Sequence, residues 1–75
     1  MPELKTKIKQ LRLLKDMKQE ELAVEVGVRR ETIARLEKGL YNPSLKLAMD
    51  IAQFFETTVE HIFEFLPEDE YDDED

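Results

Sequence analysis

Residues 19–39 read QEELAVEVGVRRETIARLEKG, and this stretch decides the fold. Leu22, Ala23 and Val26 fall at i, i+1 and i+4, and Ile33 and Leu36 form an i, i+3 pair, so each half carries one apolar face at helical spacing. Gly27 stands between the halves, where a helix end needs a residue that takes positive φ without a steric penalty, and Val28 follows it. Two short helices folded about one glycine are a helix-turn-helix, a device that presents one helix to a partner.

Working outward, a first helix is predicted over 6–15, with Ile8 and Leu11 inward and Lys5, Lys7 and Lys9 outward. Met17 fills the connection to a second helix at 19–26, and a third covers 29–38. Asn42-Pro43-Ser44 is a turn followed by an N-cap, since proline fixes φ and the serine hydroxyl can accept from an exposed amide. The fourth helix, 45–55, should face inward through Leu45, Ala48, Ile51, Ala52 and Phe55, with Leu47, Met49 and Phe54 left over. Thr57-Thr58 caps a fifth, 59–63, packing through Val59, Ile62 and Phe63.

The spacing resembles that of the Cro/CI-type (XRE-type) helix-turn-helix repressors over residues 4–66. Gln19, Leu22, Ala23, Gly27, Val28, Ile33, Glu37 and Gly39 meet that family's pattern, as does Tyr41-Asn42-Pro43-Ser44-Leu45. The resemblance implies an all-α, five-helix, lambda-repressor-like DNA-binding domain over 1–66. In some small relatives the segment equivalent to 63–66 pairs as a strand with the N-terminal arm, so residues 4–7 are open between helix and a short two-stranded sheet. It also implies a largely buried, structural ion pair between Arg12 and Glu37.

A recognition helix enters the major groove of double-stranded DNA through its N-terminal residues. Here that region is Arg29, Arg30, Glu31 and Thr32, with Arg35 one turn later. By resemblance, Arg29, Arg30, Glu31 and Arg35 fall on base-reading positions, Gln19 on a phosphate-binding one, and Lys38, Tyr41 and Asn42 on a loop that touches phosphates. Arginine suits the O6 and N7 acceptors of guanine and Glu31 the amino group of cytosine, which points to a half-site containing G·C pairs. Glu31 can instead pair with Arg30 or Arg35, and Tyr41 can pack over the third helix. Lys18 and Arg29 stand where relatives carry Ser or Thr caps, and each lost cap costs about 1 kcal/mol. The charges make sense against an anionic partner, and a tolerated surface change also accounts for them.

Seventy-five residues with a net charge of -7 allow one small core. The charge is unevenly spread. Residues 1–46 hold all 11 Lys and Arg against 7 acids, a net +4, whereas 47–75 hold 11 acids and no Lys or Arg. The run EDEYDDED at 68–75 repels itself and cannot bury a core, so 67–75 is expected to be a disordered acidic tail. With no cysteine and one histidine, His61, a zinc site is not expected, nor is any cofactor, and the tail lacks the spacing of a calcium loop. No nucleophile is paired with a base and no glycine-rich phosphate loop exists, which excludes ordinary catalysis. No apolar run spans a membrane and the N-terminus lacks a secretory core, so a cytoplasmic protein is expected.

Leu13, Leu14, Phe54, Phe65 and Leu66 exceed what so small a core absorbs. Relatives of this length dimerise through the fifth helix and the segment after it, which makes Phe54, Ile62, Phe65 and Leu66 the candidates for a homodimer interface. A two-fold dimer would set its recognition helices about 34 Å apart on a palindromic operator. The leading expectation is a dimeric, sequence-specific transcriptional repressor. The alternative is an antitoxin or anti-repressor whose acidic half binds a basic protein. The tail could also fold back onto the Arg29, Arg30 and Arg35 face.

Overall fold

The computed structural model describes residues 3–66, and the acidic run expected to be disordered lies outside them. The order is β1 (Glu3–Thr6), α1 (Ile8–Leu14), α2 (Gln19–Val26), α3 (Arg30–Glu37), α4 (Leu45–Phe54), α5 (Val59–Ile62) and β2 (Phe63–Leu66). The predicted 6–15 helix thus starts later, and the segment before it is a strand. Leu4 is buried and Lys5 exposed, the alternation of a half-covered strand rather than a helical stripe.

The two strands pair antiparallel, with Leu4 opposite Phe65 and Thr6 opposite Phe63. The Lys7 amide donates to the Ile62 carbonyl at 2.9 Å and carries the pairing one step further. Directly opposed residues share a face of the sheet. Leu4 on that face is covered, whereas Phe65 beside it is 58% exposed.

One core lies between the helices, built from Ile8, Leu22, Ala23, Ile33, Leu36, Leu47, Ile51, Ala52 and Ile62. Helices α2 and α3 bury the residues that their periodicity selects. Helix α4 follows the predicted stripe at Ala48, Ile51 and Ala52, with Phe55 partly buried against the core, and departs from it in its first turn. Leu47 is buried and Leu45, in the first turn after Ser44, is 74% exposed. Lys46, Asp50 and Gln53 share one polar face and the remaining arc is apolar and wider than a single stripe, so packing against α2 and α5 selects the part through Leu47, Ala48, Ile51 and Ala52. Ile62 is 1% exposed and belongs to the core, which removes its side chain from the surface expected for self-association.

Four helices end in the same way. After α1, α2, α3 and α4 the chain takes positive φ at Asp16, Gly27, Gly39 and Glu56. The following amide then reaches back to a carbonyl of the last turn: Met17 to Arg12 at 3.1 Å, Val28 to Ala23 at 2.9 Å, Leu40 to Arg35 at 3.0 Å and Thr57 to Ala52 at 2.9 Å. These are Schellman motifs, which satisfy carbonyls that a helix end leaves without partners. At Gly39 conformation is only half the requirement, because a Cβ there would run into the Leu4 carbonyl oxygen. A bare backbone lets β1 lie across the end of α3. Gly27 has open space around it and is required by φ alone.

Candidate nucleic-acid interface

The start of α2 is capped without the usual side chain. Lys18 has no acceptor to offer, but the Glu21 carboxylate turns back and takes the Lys18 amide at 2.7 Å, half of a capping box. Helix α3 has no such help. Arg29 occupies its N-cap in extended conformation with no side-chain hydrogen bond to the helix, so the first amides of α3 meet no capping group. Cationic side chains and unpaired amides at one helix end together favour an anion.

Arg29, Arg30, Glu31 and Arg35 are exposed on α3, and Thr32 is half-buried among them. Glu31 makes no side-chain hydrogen bond or ion pair with the described residues. Arg30 and Arg35, which it could have engaged, have other partners. The Arg35 guanidinium lies 5.8 Å from the Tyr41 ring centroid, within range of a cation–π contact, so Tyr41 packs beside α3 while staying partly exposed. Lys38 closes α3, and Lys38 and Asn42 are both exposed.

Beneath this surface, Arg12 is 7% exposed. It donates from Nε to Glu37 Oε2 at 2.7 Å, from Nη2 to Glu37 Oε1 at 3.1 Å, and from Nη1 to the Met17 carbonyl at 2.8 Å. Gln19 completes the arrangement. Its Nε2 donates to Glu37 Oε1 at 3.0 Å, and its Oε1 accepts from Arg30 Nη1 at 3.1 Å. The Gln19 side chain is therefore turned along the protein, with one of its two amide N–H donors and its oxygen engaged by Glu37 and Arg30. Nothing in the spacing of Gln19, Arg30 and Glu37 announces this link, since periodicity places residues on faces and does not pair their ends.

Of the residues expected at a self-association surface, Phe65 is exposed and Leu66 half-buried. Phe54 is half-buried, edge-on to Phe55 at 5.1 Å, with Lys15 Nζ 5.6 Å from its ring centroid. A groove lined by Lys5, Thr6, Lys7, Gln10 and Glu60 also includes His61 but none of the α3 residues. Among the described residues no cluster of three His, Cys, Asp or Glu could hold a metal ion, and no helix is long and apolar enough to cross a membrane.

A helix-turn-helix family model matches residues 8–62, from the start of α1 to the end of α5. The chain is 60% identical over 62 residues to an uncharacterized HTH-type transcriptional regulator of Archaeoglobus fulgidus, covering 83% of this chain and 87% of that one. Among solved structures it is similar to the transcriptional regulator VanUg, with a TM-score of 0.73, 34% identity and 89% of each chain covered. It is also similar to the restriction-modification controller protein C.AhdI from Aeromonas hydrophila, with a TM-score of 0.67 and 27% identity over 73% of this chain and 83% of that one. The family match runs through both helices of the motif and the core that holds them. This chain belongs to the XRE-type helix-turn-helix family of DNA-binding transcriptional regulators, which are not enzymes.

Proposed function

We propose that this chain is a repressor that binds a palindromic operator as a homodimer, with α3 in the major groove, and acts by excluding polymerase from an overlapping promoter. The observation that carries this reading is the N-terminal end of α3, which is exposed and uncapped and bears Arg29 and Arg30 with Arg35 one turn on. Arg30 and Arg35 would read guanine, and Glu31, free of neighbouring partners, would read cytosine. Arg29, Lys38, Asn42 and the first amides of α3 would hold phosphates, which sets register without reading sequence. Self-association would cover Phe65 and Leu66 of β2 with the same surface of a second copy, as two-fold symmetry requires. Such a protein acts in the cytoplasm, where its operator lies.

Selection of duplexes from a random pool, repeated across salt concentrations, tests the reading. A palindrome enriched at low and moderate salt, with affinity falling steeply as salt rises, is the expected result. Absence of enrichment at every salt concentration would sink it.

A further inference from the structure

Helix α3 and its two ends carry a charge that the fold leaves unbalanced. Arg29, Arg30, Arg35 and Lys38 are exposed there, and among the described residues none of the four forms an ion pair. Glu37 is taken by Arg12, so Glu31 alone offsets four cations on this helix. Lysines elsewhere are better matched. Lys5 stands opposite Glu64 in the sheet, Lys7 shares a groove with Glu60 and Glu64, and Lys46 pairs with Asp50. On α2 the exposed Glu20, Glu21 and Glu25 would repel an anionic segment.

The seven acids of 68–75 are the complement of the α3 face, and the fold brings their point of departure to it. Strand β2 ends at Leu66 opposite Glu3. The carbonyl of the next β1 residue, Leu4, lies against Gly39, which follows Lys38 at the end of α3. From there α3 runs for about 12 Å, eight residues at about 1.5 Å each. Residues 67–75, extended, span about 30 Å. The acids therefore reach every cation of α3, with Lys38 and Arg35 nearest to Leu66.

We propose that the acidic run at 68–75 docks on the cationic face of α3 of its own chain when DNA is absent, so that tail and operator compete for the same side chains. Carboxylates suit the arginine forks as phosphates do. A segment tethered this closely acts at an effective concentration of millimolar order, so individually weak contacts suffice. Competition of this kind lowers affinity for every duplex by the same factor and leaves base preference unchanged. The consequence for DNA rests on the proposed reading of α3, whereas the docking itself does not.

The test compares the full chain with a form in which each Glu of 68–75 is replaced by Gln and each Asp by Asn, leaving residues 1–66 unchanged. Without DNA at low salt, the amide and arginine Nε–H resonances of 29–38 should differ between the two forms more than those of residues 5–9 or of α2. The differences should survive dilution and vanish near about 1 M salt, where the screening length is about 3 Å. Salt added to the unsubstituted chain alone should move the same resonances, a measurement that needs no variant. The neutralised form should bind the selected site about tenfold more tightly at low salt, with the ratio falling toward one as salt rises. Unchanged resonances over 29–38, or differences centred on residues 5–9, would overturn the proposal. Differences lost on dilution would also do so, since the tail would then be docking on another copy. A gain in affinity without any change on α3 would mark general repulsion between tail and DNA, and unchanged affinity would remove the competition; either result refutes the proposal. If the unsubstituted protein selects no site, the operator reading fails, while the resonances of the DNA-free protein still decide whether the tail docks.

Discussion

Arg12 and Glu37, on α1 and α3, meet through two parallel hydrogen bonds of 2.7 and 3.1 Å, and their side chains are only 9% and 6% exposed. Removing one member leaves the other charged and buried, which costs more than the pair contributes. Glu37→Ala should therefore lower unfolding stability by about 3 kcal/mol or more, a large fraction of the total for a domain this small. Replacing both residues with methionine should restore most of that loss. Urea unfolding followed by circular dichroism measures both, and a loss below about 1 kcal/mol for Glu37→Ala would mean that the pair is not formed in solution.

The two glycines should respond differently to the same substitution. Gly27→Ala meets open space and pays only for positive φ, about 1 kcal/mol. Gly39→Ala meets that penalty and the Leu4 backbone as well, so it should cost at least about twice as much and loosen β1 from α3. Amide hydrogen exchange at residues 4–7 distinguishes loosening of the strand from a general loss of stability.

Asp16 and Glu56 hold positive φ where glycine would be unstrained. Asp16→Gly and Glu56→Gly should each raise stability by about 0.5 to 1 kcal/mol, the left-handed penalty removed less the greater freedom of glycine in the unfolded chain. Thermal melts at fixed pH check this, and a decrease at either site would contradict the Schellman assignment there.

Arg29 already has the extended backbone of an N-cap and lacks only an acceptor. Arg29→Ser should add about 1 kcal/mol of stability through a bond to the first turn of α3. The same change should weaken DNA binding and make its salt dependence shallower by about one phosphate contact. Opposite signs in the two measurements would separate a residue kept for its partner from one tolerated at the surface.

Phe65 stands on the covered face of the sheet yet is itself open. Phe65→Glu should leave the helical core intact and shift a dimer to monomer in sedimentation or light scattering, with a parallel loss of operator affinity. A variant that stays dimeric would move the interface away from β2.

Much of the fold was legible in the sequence because its informative residues are periodic or conformationally special. Leu22, Ile33 and Leu36 had one face available, and Gly27 had one task. Legibility ended where two solutions shared a pattern. On α4 both Leu45 and Leu47 lie on apolar stripes, and only the neighbouring helices decide between them. Asp16 and Glu56 carried no signal because their conformation is imposed by the packing on either side. The candidate site divides in the same way. The exposed arginines of α3 could be placed by counting, whereas the turn of Glu21 back to the Lys18 amide and the bridge made by Gln19 depend on where side chains end.

The sheet pairs Glu3 with Leu66, joining the first and last described residues. Helices α2 and α3 assemble through contacts between near neighbours in sequence, whereas the strands close the longest loop in the domain, and contacts of that kind form late. During synthesis β1 emerges first and waits without its partner, Leu4 uncovered, until residue 66 has left the ribosome. Leu4 lies against Gly39, so the C-terminal end of α3 is covered there once β1 is held in place by β2. A nascent chain can form its helix-turn-helix early, but the C-terminal end of α3, opposite the Arg29–Arg30 end, meets its strand only after translation has passed β2.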